Sequence, residues 1–315
     1  MGSRKASHGV GSAAGGDSRS QKRIIPPAAS EDATMRFDLG HELKQLLGIA
    51  FPSVALQFNM YVVFPQAASE VGRVLGTEEL AGFSLGCLVG NITCLSILVG
   101  VLTAADTLMP RAYGAERYAE VGRLTIRAVL VCAFLLLPPI IPLCTVMEPM
   151  MILLGQDPVA AKLAASWIRV YLLGVPANLL LRTLQRFLVA QSLPWPHVHA
   201  TTIPSLVIFP VLLRFLVARM GFLGSAAAIA IVQWLMLLIL LAYLRLRPVY
   251  RKETWPGLSW PFFCEAVRPK KLREFASLSL GGVMSLSEWW FWETMCFVAG
   301  TFGTVAFCAH SMRTI

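Results

Sequence analysis

This chain is short of charge. Only 14% of its 315 residues are Asp, Glu, Lys or Arg, against 56% hydrophobic, where a soluble domain carries about 25% charge. That shortage excludes an ordinary soluble globule, and the mean hydropathy of +0.64 agrees. Chemistry is equally sparse. The seven cysteines form no C-x-x-C pair and have no partnering His cluster, which argues against zinc and a disulfide framework. His197 and His199 flank the start of an apolar segment and point to different sides, a poor metal pair. There is no Gly-rich phosphate loop and no nucleophile elbow. No catalytic residue, cofactor or metal is expected, and the chain does not read as an enzyme.

What is present comes as long apolar runs near 45–66, 80–105, 124–146, 163–190, 198–218, 222–244 and 274–300, with an eighth beginning near Thr304. Each full run is close to the roughly 20 residues a helix needs to cross about 30 Å of hydrocarbon. The runs are too long for barrel strands, and a bilayer requires backbone groups to be satisfied within the segment. The expected fold class is therefore an all-α polytopic membrane protein. Prolines such as Pro138, Pro139, Pro142, Pro204 and Pro210 are expected to kink these helices. Residues 1–40, rich in Gly, Ala and Ser, read as a disordered tail.

The formal charge of +9 is then a topology signal. With the N-terminus in the cytoplasm, most basic residues fall on the cytoplasmic side, including Arg111, Arg117, Arg123, Arg127, Arg182, Arg186 and the cluster at 245–273. Nucleic acid is not expected as a partner; the lipid bilayer is.

Two carboxylates break the pattern. Glu288 and Glu293 sit mid-span in Ser287-Glu288-Trp289-Trp290-Phe291-Trp292-Glu293. A carboxylate at membrane depth is costly and marks a functional site by default, since it can hold either a proton or a cationic ligand. Spaced five apart, the two point about 140° apart on a helix. Trp289 shares a face with Glu293 and Trp292 with Glu288, and desolvated indoles attract organic cations. An aromatic belt at the membrane interface is the alternative for the indoles. In the second segment Asn91-Ile92-Thr93 matches a glycosylation acceptor but lies in hydrocarbon, so Asn91 reads as helix glue or as a cavity residue. Gly82, Gly86 and Gly90, at spacing four, allow close helix approach.

Residues 42–64 align weakly with 271–293, pairing Tyr61 with Trp290 and setting Asn59 opposite Glu288. Weak internal symmetry of this kind is how duplicated transporter halves look. The expected organisation is a cytoplasmic tail (1–40), a six-helix lobe (41–246), a basic inter-lobe loop (247–273) and the start of a second lobe (274–315).

The ordered set Asn91-Ile92-Thr93, Asp106-Thr107-Leu108 with Ala112-Tyr113-Gly114, Gly155-Gln156-Asp157-Pro158, Arg186-Phe187-Leu188 with Gln191, Thr254-Trp255, and Glu288-Trp289-Trp290 with Glu293 resembles the eukaryotic branch of the multidrug and toxic compound extrusion (MATE) family. The resemblance implies two six-helix lobes around a central cavity, so this chain holds one lobe and the first one or two helices of another. It implies export of organic cations or other amphiphiles in exchange for protons, sodium being the lesser alternative, from a plasma, vacuolar or other organellar membrane. It assigns substrate and proton binding to Glu288, Glu293 and Trp289, with Gln57 and Asn91 as polar cavity positions of the first lobe. Asp106, Arg127 and Asn59 are structural or gating candidates, Asp106 being expected to cap a helix or pair with an arginine. A non-transporting fragment or membrane subunit, and a lipid flippase of related architecture, remain open.

Overall fold

The structure is a computed structural model that describes residues 39–257, 259–303 and 308–309. All regular structure among the described residues is helical. The tail expected at 1–40 lies outside them except for its last two residues, which begin a helix, and so does most of the expected eighth segment. Helix α1 (Leu39–Tyr61) passes almost directly into α2 (Val63–Val74). Then come α3 (Thr77–Gly90) and α4 (Ser96–Gly114), joined without interruption by a wide turn at Asn91–Leu95 with i→i+5 bonding. Long α5 (Tyr118–Thr145) accommodates its three prolines and leads to short α6 (Met147–Leu153).

The Gly155-Gln156-Asp157-Pro158 motif has a local explanation. Gly155 takes φ +78° to end α6, a conformation cheap only for glycine. Asp157 then accepts hydrogen bonds from the backbone N–H groups of Val159 (2.9 Å) and Ala160 (3.0 Å) and starts α7 (Pro158–Tyr171), with proline at its first position. Helix α8 (Val175–Val189) follows at a 57° bend. Helices α9 (Trp195–Ile203) and α10 (Phe209–Met220) flank a second wide turn at Pro204–Ile208, where proline has no N–H to offer the ladder. Helix α11 (Phe222–Leu246) completes the first six apolar segments.

Among the described residues, five helical stretches are long and apolar enough to cross a membrane, or six if the bent pair α7 and α8 forms one span. The segment expected as one helix at 163–190 is thus two. The segment at 274–300 is also broken, into α13 (Pro269–Ser285) and α14 (Ser287–Thr301), of 17 and 15 residues. Hydropathy averaged over a window hides such breaks. The basic loop is structured too: after a tight turn at Lys252–Thr254, α12 (Trp260–Ala266) docks on α5.

The described residues from 46 onward pack as one unit, and its glycines face specific neighbours. A Cβ on Gly82 would lie 2.5 Å from Leu163, one on Gly86 2.8 Å from the Trp167 ring, and one on Gly90 3.4 Å from Tyr171. The small residues of α3 therefore let α7 approach, as their spacing predicts. Trp167 is fully buried, stacks on Tyr171 with centroids 5.0 Å apart, and donates its indole N–H to Ser225 on α11 at 3.1 Å. Helix α13 lies against α4 by the same device. A Cβ on Gly100 would come within 2.6 Å of the Val283 backbone, and Gly282 sits directly against Thr103 and the Gly100 carbonyl.

Arg182, expected on the cytoplasmic side, has a buried side chain on α8 that donates to Asn178 Oδ1 at 2.7 Å and lies 5.5 Å over the Tyr61 ring.

Candidate functional site

Glu293, on the second turn of α14, is half-buried, and its Oε1 accepts a hydrogen bond from Asn91 Nδ2 at 3.1 Å. Asn91 opens the wide turn between α3 and α4. That turn is supported by hydroxyls: Thr93 donates to the Val89 carbonyl at 2.6 Å, and Ser96 to the Ile92 carbonyl. Two tethers seat α13 and α14. Ser279 lies 3.5 Å from the Val101 carbonyl on α4, and Gln156 donates to the Phe297 carbonyl, one turn beyond Glu293, at 3.1 Å.

Glu288 is placed differently. It is in the first turn of α14, directly after the break at Leu286 rather than mid-helix, and it is exposed with no hydrogen bond or ion pair among the described residues. The five-residue spacing thus separates the two carboxylates as their helical angle requires. Trp289 and Trp290 are half-buried, Trp292 is half-exposed, and the Trp290 indole N–H is buried without a partner among the described residues. Gln57 is exposed on α1 and does not join the Asn91–Glu293 pair.

Asn59 is buried and donates to Thr202 Oγ1 at 2.7 Å and to Thr201 Oγ1 at 3.3 Å, binding α1 to α9 just before the second wide turn. Asp106 forms an ion pair with Arg186, Oδ1 lying 2.9 Å from Nε, joining α4 to α8. Arg127 is buried, pairs with Glu120 at 2.6 Å and donates to the Ala266 carbonyl of α12 at 2.9 Å. Arg123 adds a 2.6 Å bridge to Glu265. Asp106, Arg127 and Asn59 therefore each fasten two helices and lie apart from the Asn91–Glu293 pair.

The model of the family described as MatE matches residues 52–215. The chain belongs to the MatE family. Among relatives of this MatE chain, human multidrug and toxin extrusion protein 1 is 28% identical over 279 residues, covering 86% of this chain and 46% of its own. Protein DETOXIFICATION 39 of Arabidopsis thaliana is 31% identical over 261 residues, covering 82% and 50%. The crystal structure of a eukaryotic MATE transporter, AtDTX14, superposes with a TM-score of 0.74 at 27% identity, covering 82% of this chain and 56% of that one. The chain spans about half the length of the curated relatives it matches. The MatE match contains Gln57, Asn59, Asn91, Asp106 and Arg127 but ends before Glu288 and Glu293, so the observed pair joins the matched region to the segment beyond it.

Sequence reasoning did not single out Gln156, Thr201, Thr202 or Glu120 as partners. Gln156 lies between two apolar runs, and the threonines look like ordinary helix residues until Asn59 is set against them.

Proposed function

We propose that this chain forms part of a membrane antiporter that exports organic cations or amphiphilic compounds in exchange for protons. Residues 41–246 make the first lobe, 247–273 the cytoplasmic link, and 274–315 the beginning of a second lobe, with the N-terminus in the cytoplasm. The observation that carries this reading is the Asn91–Glu293 hydrogen bond. An amide donor holds one carboxylate oxygen and leaves the other for a proton or a cation. Both cannot occupy it at once, so their competition couples the two flows. Trp289, four residues before Glu293, offers an indole face to a cationic substrate. Glu288, unpaired at the start of α14, serves as a second acceptor beside the break, in keeping with the way discontinuous membrane helices border transport sites.

The test uses vesicles from cells expressing the gene's full reading frame and a fluorescent quaternary ammonium probe. A proton gradient directed against the probe should drive its uptake. Glu293→Gln should abolish the gradient-driven component, and Glu288→Gln should reduce it at least tenfold. Undiminished uptake by Glu293→Gln overturns the assignment.

A further inference from the structure

A trough runs along α13 where it faces α5 and the first turn of α4. Its cavity volume is about 840 Å³. Ile97 of α4, Leu130 and Phe134 of α5, and Leu272, Ala276 and Leu280 of α13 line it, and Arg273 is its one charged lining residue. Phe134 is 72% exposed and Leu280 63% exposed, so this continuous apolar surface has no protein cover among the described residues.

The dimensions restrict what fits. On α13 the lining runs from Pro269 to Val283, about 21 Å at ~1.5 Å per residue. That exceeds half of the ~30 Å hydrocarbon thickness, the depth of one leaflet. A trough of that length, apolar along its run with one cationic side chain in its lining, matches a hydrocarbon chain that ends in a charged headgroup.

Charge is confined to one end. The Arg273 side chain makes no ion pair or hydrogen bond among the described residues, and the same holds for the side chains of Arg268 and Lys270 beside the lining residues Val267 and Pro269; all three are exposed. The nearby carboxylates are engaged, Glu274 by Lys271 at 3.1 Å and Glu265 by Arg123 at 2.6 Å. A free inorganic anion would use this end and leave the apolar length unused.

We propose that this trough is a seat for an anionic phospholipid, one acyl chain lying along α13 and the phosphate held by Arg273 with Arg268 and Lys270. Basic pockets between membrane helices recognise such headgroups. Placing the seat in the cytoplasmic leaflet rests on the orientation proposed above; the seat itself does not.

Native mass spectrometry of the purified chain in detergent, given equal amounts of dioleoyl phosphatidylserine and dioleoyl phosphatidylcholine, tests it. The chain should retain one phosphatidylserine with roughly fivefold preference, the size expected of one basic residue at a membrane surface. Arg273→Glu should remove the preference, and Arg273→Gln should reduce it if the reversal does not fold. Leu280→Trp, which fills the trough, should lower retention of both lipids, whereas Arg247→Glu, outside it, should change neither. Equal retention by the unaltered chain, a preference that survives in Arg273→Glu, or displacement of lipid by a second copy overturns the proposal. No readout involves transport or leaflet, so failure here and failure of the exchange reading are separately visible.

Discussion

Asn91 and Glu293 are 202 residues apart in sequence, yet the amide of one donates to the carboxyl of the other at 3.1 Å. A double-mutant cycle with Asn91→Leu and Glu293→Leu should show a coupling of about 1 kcal/mol, typical of hydrogen bonds between membrane helices. Titration with denaturing detergent, followed by far-ultraviolet circular dichroism, measures it. Strictly additive losses would mean that the pair does not hold α14 to the second segment.

Gly86 faces a ring that has no room to move, because Trp167 is fully buried and tied to Ser225. Gly86→Ala should cost about 1–3 kcal/mol by overpacking. Gly281, with nothing within 4 Å, is the control, and its alanine should be neutral or better. Thermal unfolding midpoints in detergent compare the two, and equal midpoints would refute the close approach of α3 and α7.

Arg127 holds α12 to α5 through Glu120 and the Ala266 carbonyl. Arg127→Met should destabilise the chain by about 2 kcal/mol, less than for a fully buried pair because Glu120 keeps partial access to water. It should also speed proteolytic cleavage between residues 247 and 259. An unchanged cleavage rate would show that α12 is held by other contacts.

Asp106 and Arg186 pair at 2.9 Å with the carboxylate side chain 48% exposed, so each single neutralisation should cost no more than about 1 kcal/mol. The exchange Asp106→Arg with Arg186→Asp should recover most of what either reversal loses. Failure of the exchanged chain to recover would assign these residues partners beyond each other.

Hydropathy made most of the architecture legible. The apolar runs locate the first six segments, and the spacing of Gly82, Gly86 and Gly90 announces the tight seam that α7 fills. The breaks at Leu172–Gly174 and Leu286 were not legible, because averaged hydropathy passes through a bend that leaves composition unchanged. Of the site, the exceptional residues stood out: Glu288, Glu293 and Asn91 are polar where hydrocarbon is expected. Which carboxylate meets the amide is a question of helix angle and tertiary packing, and local pattern carries neither. Arg182 shows the converse, a charge that resembles a loop marker until Tyr61 and Asn178 are found around it.

The wide turn at Asn91–Leu95 has a consequence for the phase of everything downstream of it. Such a turn holds one residue more than an α-helical turn, and each residue amounts to about 100° of azimuth. The second span can therefore aim its glycines at α7 before the turn and Gly100 at α13 after it. Deleting one residue there would leave hydropathy almost untouched while swinging Gly100 away from Val283, a frame shift in three dimensions that hydropathy cannot register.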